Sequence, residues 1–144
     1  MKIETNIVLT TIASMTLPLI VLFAVYIQMH GEITPGGGFQ SGVILASAAI
    51  FYALVFGNCS FLKFISMNTL QALASIGVII YASVGIAAII GGGNFLDYSS
   101  FFKNNQVLGQ ELGVFGVELG VGLTVSSAML VLYFAFSTFL EGDF

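Results

Sequence analysis

The longest stretches of this chain that carry no Asp, Glu, Lys or Arg are Thr5 to Gly31, Ile33 to Leu62, Phe64 to Leu96 and Leu119 to Leu140. Each exceeds the roughly 20 residues that a helix needs to cross a hydrocarbon core of about 30 Å. In lipid a backbone must satisfy its own hydrogen bonds, so such runs become helices. Charged residues make up 7% of the 144-residue chain, against about 25% in soluble domains. The expectation is an all-α integral membrane protein, a single membrane domain over 1–144 with four transmembrane helices at roughly 7–29, 37–57, 69–91 and 113–139. The connections are a loop near 30–36, a short turn from Asn58 to Asn68, and a longer segment from Gly92 to Leu112.

The first apolar run reaches Met29 with no small-x-small cleavage site after it, so it reads as a retained helix and not a secretory signal. An even number of crossings puts both termini on one side. Lys2 and Lys63 fall on that side and Lys103 on the other, which points to cytoplasmic termini in a cell membrane.

The net charge of −4 comes without any basic cluster, so nucleic acid and anionic head groups are not expected partners. One cysteine, Cys59, and one histidine, His30, leave neither an intrachain disulfide nor a bis-histidine haem site, and no cofactor is expected. No nucleophile–base set or carboxylate pair stands at usable spacing, so the chain does not read as an enzyme.

Its polar punctuation is concentrated in HGEITPGGGF, residues 30–39. Thr34 and Pro35 read as the N-cap and first residue of the second helix. Gly36, Gly37 and Gly38 are poor helix formers, and Gly38 with Gly42 forms a small-xxx-small pair. Two readings follow: a tight turn with close helix contact, or a polar, hydrated mouth flanked by His30 and Glu32. A phosphate cradle is set aside, because no lysine follows the glycines and Ser41 stands where a third glycine would.

Thr34-Pro35-Gly36-Gly37-Gly38-Phe39-Gln40-Ser41-Gly42 resembles a motif of the MrpB (MnhB) subunit family of multisubunit Na+/H+ antiporters. Gly116-Val117-Glu118-Leu119-Gly120-Val121-Gly122-Leu123-Thr124-Val125 is similar to that family's fourth helix. The resemblance covers nearly the whole chain. The family places histidine directly after the glycine matched by Gly31, where this chain has Glu32, with His30 two residues earlier.

Glu118 is the leading candidate for an ion path, since a carboxyl group inside a span is costly unless hydrated or paired. It stands about five residues into the expected fourth helix, or at its flank if that helix starts at Leu119. Gly113, Gly116, Gly120, Thr124 and Ser127 form a small-residue ridge on the opposite face. If the ridge packs inside the protein, Glu118 points outward, toward a partner subunit or a shared aqueous cavity. In the first helix Pro18 cannot donate to the Ser14 carbonyl, which makes Ser14 a further candidate, or simply the site of a packed kink. The segment 93–112, with Phe95, Tyr98, Phe101 and Phe102 around Asp97 and Lys103, reads as an interfacial loop or short helix.

The resemblance implies a small subunit that packs with larger antiporter-like membrane subunits, with Na+ and H+ as the transported ions. No expected helix carries a charge at its centre, so this chain alone is not expected to transport. The alternative is a structural tetraspan in the membrane arm of an Mrp-related hydrogenase or respiratory complex.

Overall fold

A computed structural model describes residues 7–31, 36–101 and 105–141. The helices are α1 (Ile7–Met29), α2 (Gly37–Phe56), α3 (Asn58–Phe64), α4 (Met67–Ile90) and α5 (Gln106–Glu141), with a 3-10 turn at Tyr98–Ser100. Four of them, α1, α2, α4 and α5, are long and apolar enough to cross a membrane. Large hydrophobic side chains cover the outside, with Ile7, Ile79 and Phe136 each more than 60% exposed. Such a surface suits lipid or apolar partners and not water.

The helices stand in a row. α1 packs on α2, α2 on α5, and α5 on α4, while α1 touches α5 only slightly. Gly38 of α2 lies against Glu118 and Gly42 against Gly122, so α2 and α5 run in the same direction. Gly77 of α4 meets Gly120 and Gly116 faces Val84, so α4 and α5 are antiparallel. These glycines bring backbones within van der Waals reach, which is how helices associate where lipid leaves no hydrophobic drive between them.

Two features differ from the sequence reading. The turn expected from Asn58 to Asn68 contains α3, whose Asn58 side chain donates to Ser137 Oγ at 2.6 Å and accepts from Tyr133 Oη at 3.0 Å. That clamp, with Phe61 stacked on Phe134 at 5.4 Å, holds seven residues helical that would be too short alone. The last helix begins at Gln106 and not at Gly113. Its first turns carry Gln110 and Glu111, which suggested a loop, but they continue the helix beyond the ends of α1 and α2.

The segment after α4 folds back on the α4–α5 pair. Phe95 occupies the notch left by Gly85, Tyr98 the notch left by Gly113, and Tyr81 meets Phe95 edge-on at 6.5 Å. Phe102 and Lys103 lie outside the described residues.

Candidate functional site

Glu118 sits roughly 18 Å along α5 at 1.5 Å per residue, well inside the helix. The possibility that the helix starts at Leu119 is thereby removed. The ridge on its far side packs within the chain: Gly116, Gly120 and Thr124 face α4, and Gly113 receives Tyr98. Thr124 donates to the Gly120 carbonyl at 2.8 Å, and Ser127 is buried.

The expectation that Glu118 would then point outward is corrected by the order of helices. α5 is an inner member of the row with neighbours on both sides, so the face opposite α4 looks at α1 and α2. There the half-buried carboxyl group lies against Gly31, just past the end of α1, and Gly37, at the start of α2. A Cβ built on Gly31 would collide with both carboxyl oxygens, and one on Gly37 would stand 2.8 Å from Oε1. A Cβ on Gly38 would run into the Glu118 backbone. The two glycine-bearing motifs, some 80 residues apart, thus form one site, a cradle of three glycines under a carboxyl group.

The turn needs its glycines for conformation as well as space. Gly36 has φ 153° and Gly37 φ 59°, in the left-handed region that side chains disfavour. For the same reason the cap of α2 is Gly36, without a side-chain cap bond, and not Thr34 followed by Pro35. Thr34, Pro35 and Glu32 lie outside the described residues. Phe39 is 64% exposed.

His30 closes α1 beside the cradle. Its Nδ1 lies 2.9 Å from the Tyr26 carbonyl, and its ring stacks on Tyr26 at 4.2 Å. Ser14 is elsewhere: exposed, donating to the Thr11 carbonyl at 2.8 Å, and roughly 25 Å along α1 from Gly31. The structure therefore gathers Glu118 and the glycines, keeps the His30 ring on Tyr26, and leaves Ser14 out.

One polar pair escaped the sequence reading. Ser41 of α2 donates to Gln28 Oε1 across the α1–α2 seam and also lies 2.9 Å from the Gly38 carbonyl. The Gln28 Nε2 is buried and has no hydrogen-bond partner among the described residues. Gly122, one turn below Glu118, leaves the room, since a Cβ there would stand 2.7 Å from Gln28 Oε1. An amide in the uncharged first run was the available signal, weaker than a charge in the same place because an amide costs less to bury.

Residues 8–142 match the family described as a domain related to the MnhB subunit of Na+/H+ antiporter. A putative antiporter subunit mnhB2 of Staphylococcus haemolyticus is 31% identical over 137 residues, 93% of this chain and 96% of that one. The corresponding Na(+)/H(+) antiporter subunit of Bacillus subtilis is 24% identical over 129 residues, covering 83% of this chain and 90% of the relative. That of Alkalihalophilus pseudofirmus is 27% identical over 129 residues, 83% and 89% of the two chains. With the match running from the start of α1 to the end of α5, this chain belongs to the MnhB family.

Proposed function

We propose that this protein is a membrane subunit of a multisubunit Na+/H+ antiporter and that Glu118, held over the Gly31–Gly37–Gly38 cradle, is a point on its ion path. The observation that carries the reading is the meeting of the carboxyl group with the glycine turn. The three missing side chains leave the room that Glu118 occupies, and an ionisable group within a membrane span often marks an ion or proton path. His30, one residue before Gly31 in the chain, is a second candidate for that path. The relatives' names support the antiporter assignment and give no support to the hydrogenase-arm alternative.

The partners are other membrane subunits of the assembly, and the ions Na+ and H+. The chain carries its termini on the cytoplasmic side of a cell membrane, a reading supported by the antiparallel course of α1 and α5 and by the side on which Lys63 falls. Catalysis of a covalent reaction is not part of this function.

The test is sodium-dependent proton exchange in vesicles that hold the whole complex, comparing wild type with Glu118→Gln and quantifying assembly in the same vesicles. The expected outcome is at least a tenfold loss of exchange with assembly intact. Exchange at the wild-type rate would overturn the role of Glu118 and leave packing as the function of helix α5.

A further inference from the structure

We infer that the face of α5 above Glu118 lines a one-sided aqueous recess, which leads from the membrane surface down to the carboxyl group. The recess rests on the reading of Glu118 as a functional group and adds its route of access.

Helix ends define its height. α1 stops at Met29 and α2 starts at Gly37, both level with Glu118. α4 and α5 go further. The contacts Gly77 with Gly120 and Val84 with Gly116 set their register, which places Ile86 level with Val114 and Ile90 level with Gln110. From Glu118 to Gln110 the rise is roughly 12 Å.

Over that height α4 is uncharged and largely apolar, whereas α5 sets polar Gln110 and Glu111 among the exposed apolar Val107, Leu108 and Leu112. On α4 the run from Ala82 to Ile90 carries no charge, and Ile86, Ile89 and Ile90 are 53%, 53% and 81% exposed. Such a surface belongs in apolar surroundings. On α5, Val107, Gln110, Glu111 and Val114 follow the spacing of one helical face, and Gln110 and Glu111 are exposed. An amide and a carboxyl group are costly in lipid at the same height.

Those four residues and Gly31 line a cavity of about 390 Å³ beside the end of α1. At about 30 Å³ per water molecule it holds several, with polar partners on its wall. One further heptad step from Glu111 on the same face is Glu118, whose carboxyl group lies beside Gly31 at the floor.

The test uses thiol labelling in sealed vesicles containing the assembled complex. Cys59, the only cysteine and exposed, is first replaced in a Cys59→Ser background. Val114→Cys and Ile86→Cys are then compared, two positions at one depth on different faces. A sulfonated, membrane-impermeant maleimide is expected to label Val114→Cys at least tenfold faster than Ile86→Cys, from one vesicle orientation only. Gln110→Cys against Ile90→Cys, the level pair one turn higher, serves the same comparison if Val114→Cys does not assemble. Equal labelling of both faces would overturn the recess by showing that the whole overhang stands in water, and protection of both would overturn it by showing a dry site. Because the readout is accessibility and not exchange, its failure is distinct from failure of the Glu118 assignment.

Discussion

At the scale of single residues, the three cradle glycines are not equivalent, and their differences make the site testable. A Cβ on Gly38 would strike the Glu118 backbone, which cannot step aside without moving α5. Gly38→Ala is therefore expected to cost about 1–3 kcal/mol of stability, read as a lower melting temperature of the purified complex. A Cβ on Gly31 would meet only the end of a flexible side chain, at a backbone conformation that alanine tolerates. Gly31→Ala should leave assembly near wild type while displacing the carboxyl group, so that exchange falls several-fold. Gly37 combines both constraints, since its φ of 59° disfavours any side chain and its Cβ would press on Oε1.

Helices, taken as elements, are held by two kinds of contact. α4 and α5 meet where Gly77 faces Gly120, with the Gly77 carbonyl 2.8 Å from a Cβ position on Gly120. Gly120→Val is expected to part the pair, and an immunoblot of membranes should find the protein at a small fraction of its normal level. α3 adds polar links to its Phe61 packing, the two hydrogen bonds of Asn58 contributing about 1 kcal/mol each. Much of this level was legible beforehand: the charge-free runs marked the four long helices, and α1 spans Ile7–Met29 as its run implied. The short helix α3 and the first two turns of α5 were not legible. α3 exists because Phe61 and Asn58 reach α5, and residues 106–112 stay helical although polar, because a helix already formed extends at little cost. The cradle shows the same limit. Glu118 and the glycine turn each stood out along the chain, but nothing local to either says that α5 lies between α4 and the α1–α2 pair.

For the whole molecule, the order α1, α2, α5, α4 leaves a broad apolar groove of about 750 Å³ on one face, walled by Leu17 and Val21 on one flank and Leu70 and Leu73 on the other, with Leu123 on its floor. The chain expressed without its partners is expected to insert into membranes yet give no sodium-driven proton exchange in vesicles. Exchange at the rate of the full complex would contradict that expectation. The reason is one of enclosure. Four helices arranged in a ring could surround a pore of their own, but four in a row make a partition with two sides and no lumen. On the proposed reading, an ion that travels past Glu118 moves through a half-pipe, and the subunit proposed to lie against the open side supplies the other half of its wall and shares in its selectivity.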